Sequence, residues 1–390
     1  MFDVIVVGAR CSGAATAMLL SRRGFRVLLV DRMTFPSETL STLYIHPPGV
    51  ALLREWGVLP AVVASGCPRL DRSRYEVGGV RLDSGPFSGD ASYAPRRRVL
   101  DQILVDAAVA AGAEFRAGCR VTGPVWAGDR VAGVRMRPDG GPERVERAHL
   151  VVGADGMRSV VARSVSAPME VSDPLATCVW YSVWDGVPAQ FETYERTGNW
   201  IAVIPTNDGL TVVATYFPQE RFAALRHDPL VGHHEAVRLT APHLDERLRH
   251  GSRVERLRGS GEQRNFFRRA IGPGWALVGD ASVHKDSITA RGITDAFVHA
   301  DLLGRAVPED LADLVALDRA LTGYARERDR AMAGPYRNAL ALARLQVTGS
   351  RLAMLRAISE STELTALYFS VVAGLRPMDD LLVPELLTRL

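Results

Sequence analysis

Hydrophobic and polar positions along the chain fall into three kinds of spacing. At the N-terminus Asp3 to Val7 reads DVIVV, a β-branched run of strand length closed by Gly8. Ala14 to Arg23 follows with apolar residues on one helical face and stops at Gly24, and Arg26 to Val30 predicts a second strand. A strand, Trp275 to Val278, and a helix, Ile293 to Leu303, repeat this spacing late in the chain. The second kind is short alternation. Arg74 to Ala94 and Leu175 to Arg258 hold runs such as Thr177 to Val183, Trp200 to Ile204 and Leu210 to Tyr216, cut by polar turns such as Thr206 to Gly209. That predicts a mostly antiparallel sheet. The third kind is helical: Asp313 to Met332 and Tyr336 to Leu355 predict two helices parted by Gly334-Pro335, and an apolar tail runs from Leu364 to Leu375. The class expected is α/β, with an interleaved antiparallel sheet and a helical C-terminus.

Chemistry enters where these elements meet. The first strand runs into GARCSG, residues Gly8, Ala9, Arg10, Cys11, Ser12 and Gly13, and the second ends at Asp31-Arg32, about 20 residues on, as a dinucleotide fingerprint requires. Such a turn brings a pyrophosphate to backbone N–H groups at a helix N-terminus, while the acidic residue accepts from ribose hydroxyls. Arg10 stands where the fingerprint has its middle glycine, so its side chain must point away from the phosphates or lend them charge. Cys11 would sit at a helix N-terminus, where its thiol pKa would be lowered, or serve as a small filler. Two further stretches share the theme, GADGMRS at Gly153 to Ser159 and GDASVHKDSITARGITDA at Gly279 to Ala296.

Together these stretches resemble single-component FAD monooxygenases of the aromatic-hydroxylase type, within a larger group holding geranylgeranyl-reductase-like and halogenase-like proteins. The resemblance covers roughly residues 1 to 330 and implies a Rossmann-like FAD domain of the glutathione-reductase type. It implies that Asp280, after Gly279, contacts the ribityl chain. Asp155 and Gly156, with Arg158 and Ser159, would serve the pyrophosphate and the approach of NAD(P)H. Arg97 would lie near the cofactor, Val121 would contact adenine through its backbone, and Gly292 and Ile293 would open a helix whose dipole faces the flavin. The domains expected are FAD-binding over 1–73, 95–170 and 263–330, substrate-binding over 74–94 and 171–262, and a helical region over 331–390. Ser287 replaces an expected proline, Ala290 an expected glycine, and His284 is displaced by one place, all beside the expected flavin ring.

Composition changes the picture at one point. Lys285 is the only lysine among 47 basic Lys and Arg residues, and it falls in the flavin loop. Lysine is a compact charge whose pKa burial moves. Lys285, with His284, is therefore a catalytic candidate, set against a lone lysine on a solvated loop. His46, His284 and Asp286 are the candidate bases. The net charge of +3, with arginines interspersed among acids, lacks the clustered stripe a nucleic-acid surface needs. Four cysteines without metal or C-x-x-C spacing fit reduced thiols. No apolar run spans a membrane, and Met1 leads straight into the first strand, so a cytoplasmic monomer or homodimer is expected.

The resemblance implies FAD, with NAD(P)H as a transient reductant, and O2 as co-substrate. The leading expectation is monooxygenation of a hydrophobic or aromatic small molecule through a flavin C4a-hydroperoxide. Trp180, Tyr181, Trp184, Trp200, Tyr216 and Phe217 would line its pocket or serve as sheet core. A flavin-dependent C=C reductase is the alternative, with Glu38 to His46 as its substrate-side loop. A halogenase, suggested by NWIAVIP at Asn199 to Pro205, comes next, then a non-redox flavoprotein.

Overall fold

The computed structural model describes residues 1–86 and 91–389; the four residues 87–90 of the expected substrate segment 74–94 lie outside the described residues. Strand Phe2–Val7 sits mid-sheet, parallel to Val27–Val30 on one side and to Arg144–Gly153 on the other. Glu114–Arg116 and Trp275–Leu277 extend the parallel sheet at its two flanks. The register matters most for function. Val7 pairs with Val30 and with Gly153, and Gly153 pairs with Leu277, so four strands end at one edge. Whatever follows each strand converges there, the crevice position that open parallel sheets use for ligands. Helices Cys11–Arg22, Arg97–Ala110 and Gly292–Ala306 cover one face, and Leu20, Leu100 and Phe297 share its core.

A second sheet runs Ser252–Arg253, Thr177–Asp185, Thr211–Pro218, Asn199–Pro205, Phe191–Arg196, Ser73–Val77 and Val80–Asp83. It is antiparallel apart from the parallel pairing of Phe191–Arg196 with Ser73–Val77. Its alternation separates two cores. Trp200, Ala202 and Ile204 face one side with Val179, Tyr181 and Tyr216, whereas Ile201 and Val203 face the other with Trp184 and Val213.

Two findings depart from the spacing argument. The segment read wholly as sheet contains helices Pro229–Thr240 and Pro242–His250, whose Val237, Leu244 and Leu248 cover the outer sheet face. Each begins with a proline at its first turn, where the missing N–H costs nothing. In the C-terminal region, Leu314–Ala343 is one continuous helix with Pro335 inside it, rather than two helices. Met332 and Tyr336 flank the proline at i, i+4 spacing, and both are buried in the cluster that holds Val283, which keeps the two halves on one axis. The apolar tail forms helix Thr362–Val372, and Phe369 packs edge-on against Tyr75 of the second sheet at 5.0 Å.

Candidate active site

The convergent strand ends and the inner face of the second sheet enclose a cavity of about 780 Å³. That lies in the upper half of the roughly 300–1,000 Å³ typical of cofactor and ligand sites. Gly8, Arg10, Cys11, Ser12, Asp31, Arg32, Arg97, Val121, Asp155, Gly156, Gly279, Asp280, Gly292 and Ile293 line it, as do His284 and Lys285. Ala9 and Gly13 are not in the lining. Ala9 donates its N–H to Asp31 Oδ2 at 2.8 Å, and a Cβ on Gly13 would fall 1.7 Å from the Gly8 carbonyl oxygen. These two positions shape the turn from behind.

The first turn is tightly built. Gly8 has φ +101°, and a Cβ there would lie 2.5 Å from the Ala154 carbonyl oxygen. Arg10 turns to helix Arg97–Ala110, where its Nη1 meets Asp101 Oδ2 at 2.5 Å and its Nη2 donates to Ser37 at 3.0 Å. Arg97 grips the same carboxylate from Nε and Nη2, at 3.1 and 2.9 Å to Oδ1. Asp101 is fully buried and absent from the residues expected to matter. Cys11 also reaches it, Sγ to Oδ1 3.4 Å. Burial pushes the Cys11 thiol up, against the lowering expected from the helix N-terminus, because desolvation of a thiolate outweighs the dipole and the nearby arginines. Cys11 is packing.

In the second stretch Asp155 accepts from Ser159 Oγ at 2.5 Å and from Val160 N at 2.6 Å, capping helix Val160–Ser164. Arg158 pairs with Glu262 at the surface. In the third, Lys285 is not on a solvated loop. It is 9% exposed, and Nζ is bonded to Asp295 of helix Gly292–Ala306. Burial drives the Asp295 carboxyl up, but Lys285 and Arg291 together hold it below the usual range. His284 stacks on Phe266 at 5.9 Å, and its Nδ1 meets the Arg264 carbonyl. His299, also missed from sequence, accepts the Gly279 N–H on Nδ1 at 2.8 Å, so Nε2 carries the proton and has no partner among the described residues.

The candidate bases separate by environment. His46 is buried, contacts the Thr289 carbonyl through Nε2 at 3.0 Å, and is pulled down to about 3 by burial and by Arg291. It does not line the cavity. Asp286 lines the cavity and burial pushes it up to about 6, against the hydrogen bond from Thr177 Oγ1 at 2.7 Å. Ser287, where a proline was expected, donates its N–H to Gln263 Oε1 at 3.1 Å, a bond proline lacks, and its hydroxyl lies 3.0 Å from Tyr216. Ala290 adopts φ +53°, the left-handed region that its usual glycine suits. A buried Ala→Gly change ordinarily costs about 1 kcal/mol of methyl burial and backbone entropy. Relief of the left-handed strain offsets that here, so Ala290→Gly should unfold in urea within about 0.5 kcal/mol of the parent.

Of the six aromatics expected at the pocket, only Tyr181 and Tyr216 line it. Trp200 shares their side of the sheet and packs into its core, Trp184 points to the outer helices, and Trp180 and Phe217 pack with Leu225 and Ala236. Val179, Val212 and Ala214 supply the aliphatic part of that wall, with polar Ser260, Gln263 and Ser287 beside them, and Leu40 reaches the cavity from the loop Glu38 to Thr42. Arg96 fastens this loop, donating to Glu38 at 2.8 Å and also pairing with Glu255.

The family model described as FAD binding domain matches residues 1–329. The chain belongs to this FAD binding domain family. Relatives within reach of it span several chemistries. The chain is 26% identical over 329 residues to a digeranylgeranylglycerophospholipid reductase of Methanosarcina acetivorans, covering 80% of this chain and 76% of the relative. It is 27% identical over 341 residues to 6-methylpretetramide 4-monooxygenase of Streptomyces rimosus, covering 84% and 80%. Its fold matches the structure of a myxobacterial chondrochloren halogenase with TM-score 0.80 at 21% identity, covering 97% and 91%. The FAD binding domain family places the protein among flavin-dependent oxidoreductases related to monooxygenases, halogenases and reductases. Among the described residues no helix is long and apolar enough to cross a membrane.

Proposed function

We propose that the protein uses FAD to reduce a carbon–carbon double bond in a small, predominantly aliphatic substrate. The carrying observation is the substrate wall. Val179, Val212, Ala214 and Leu40 outnumber the two tyrosines, and four of the six expected aromatics point elsewhere or into the sheet core. A wall of this kind suits an unsaturated aliphatic chain better than a stacked aromatic ring. The similarity to reductases of digeranylgeranylglycerophospholipid supports the same reading.

FAD fits the residues present. Gly292 has open space where a Cβ would stand, and Gly8 lines the cavity at the first turn. When bound, FAD supplies hydride chemistry, with NAD(P)H proposed as the reductant. The chain does the rest. The turn offers the N–H groups of Arg10, Cys11 and Ser12 to the pyrophosphate, Asp31 and Asp280 offer carboxylates to ribose and ribityl hydroxyls, and Arg97 stands by with a fixed positive charge. Val179, Val212 and Ala214 hold the chain and exclude water, while Arg96 keeps the loop from Glu38 to Thr42 over it.

Monooxygenation is the second reading, favoured by the 27% identity to a monooxygenase over 84% of the chain. Oxygen separates the two. Purified protein is reduced under argon with NADPH or dithionite, then mixed with a prenyl alcohol. Recovery of the oxidised flavin spectrum under argon, with a product heavier by two hydrogens, is expected. Recovery only when air is admitted, with an oxygenated product, would replace reduction by monooxygenation.

A further inference from the structure

One wall of the cavity holds three charged side chains where burial makes charge costly. Lys285 and Asp295 are 9% and 5% exposed, and Arg291 Nε lies 3.3 Å from Asp295 Oδ1 while Lys285 holds Oδ2. Two cations on one carboxylate leave one net positive charge. Arg291 and Asp295 bracket the start of helix Gly292–Ala306, whose first N–H groups add to the same sign. The neighbouring His46 and His299 contribute no charge near neutral pH, since burial, with Arg291 and Arg328 respectively, pulls both down to about 3. Arg291 packs against the C-terminal region: a Cβ on Gly374, just after helix Thr362–Val372, would lie 2.6 Å from its Nη1.

A buried ion pair is weak evidence for stability, because apolar residues of the same volume usually serve the fold as well. A functional reason is available. We propose that Lys285, Asp295 and Arg291 act as one charge unit that raises the reduction potential of the bound flavin, with Asp295 moderating the two cations. This rests on the reading that the cavity holds FAD. Two-electron reduction with uptake of one proton leaves the flavin one unit more negative, and a cluster of net positive charge favours that state. Full positive charge from two unpaired cations would overshoot, so the carboxylate sets the value.

The test is a pair of substitutions with opposite signs. FAD content and the midpoint potential, by dye equilibration, are measured for the full-length protein, Lys285→Met, Asp295→Asn and Lys285→Arg. At a fixed poise the reduced-to-oxidised ratio should fall about tenfold in Lys285→Met and rise by a similar factor in Asp295→Asn. Lys285→Arg keeps the charge and should restore the parent value. Shifts of the same sign, no shift, or loss of FAD from both variants would assign the cluster to structure and overturn the proposal. A parent protein that takes up no FAD at all would instead overturn the underlying reading of the cavity.

Discussion

Gly8→Val should abolish FAD retention and lower stability by about 2–4 kcal/mol, since a β-branched residue meets both backbone strain and a backbone clash there. The position has φ +101°, and its Cβ would lie 2.5 Å from the Ala154 oxygen and 2.9 Å from the Asp155 nitrogen. Neither neighbour yields easily, because Ala154 N is bonded to the Val7 carbonyl at 2.7 Å in the register that aligns the strand ends. Moving Ala154 therefore moves the second stretch away from the first. Gly292→Ala is the contrast. Among the described residues its Cβ would meet nothing within 4 Å outside its own helix, so thermal unfolding of the FAD-free protein should be unchanged or slightly raised. FAD affinity should fall about tenfold, because the methyl group enters the space assigned to the flavin. Equal affinity in Gly292→Ala and the parent would count against that placement, whatever Gly8→Val does.

The centre of the parallel sheet was legible because four of its strands, ending at Val7, Val30, Gly153 and Leu277, run into motifs whose spacing carries a physical demand. DVIVV followed by glycine, with Asp31 closing the next strand, leaves little choice of register. The flavin loop was legible as a location but not as a network. Lys285 stood out as the single lysine, yet its partner Asp295 lies ten positions on, across a turn, and only the fold joins them. Asp101 was more accessible than that. It stands four residues after Arg97 on helix Arg97–Ala110, the spacing at which opposite charges meet. The aromatics misled for a different reason. Period-two alternation shows that neighbours face opposite sides of a sheet without saying which side meets the cavity, so Trp180 and Tyr181 were grouped and then parted. The helices from Pro229 to His250 were hidden by the sheet-like runs around them. Pro335 was read as a stop because its missing N–H is local information, whereas Met332 and Tyr336 act through burial.

Asp101→Ala should be the most destabilising single change in the site, by about 3–5 kcal/mol in the FAD-free protein, because it strands a buried charge. Arg97 is 9% exposed and gives Asp101 three hydrogen bonds, at 2.9 to 3.1 Å, while Arg10 adds one from the cofactor turn. Removing the carboxylate leaves both guanidinium groups facing each other across the cavity lining. FAD, if its pyrophosphate lies beside them, supplies the missing negative charge and should return part of the loss, which a ligand specific to the folded state does by mass action. Urea unfolding with and without FAD reads this directly. The double substitution Arg97→Met with Asp101→Leu removes the buried pair together and leaves Arg10, whose side chain is 25% exposed, to water and Ser37. It should recover most of the stability, since matched apolar groups replace a buried ion pair at little cost, yet hold FAD more weakly than the parent. If the double variant binds FAD as tightly as the parent, the Arg97–Asp101 pair serves the fold alone and the cofactor is gripped elsewhere along the turn.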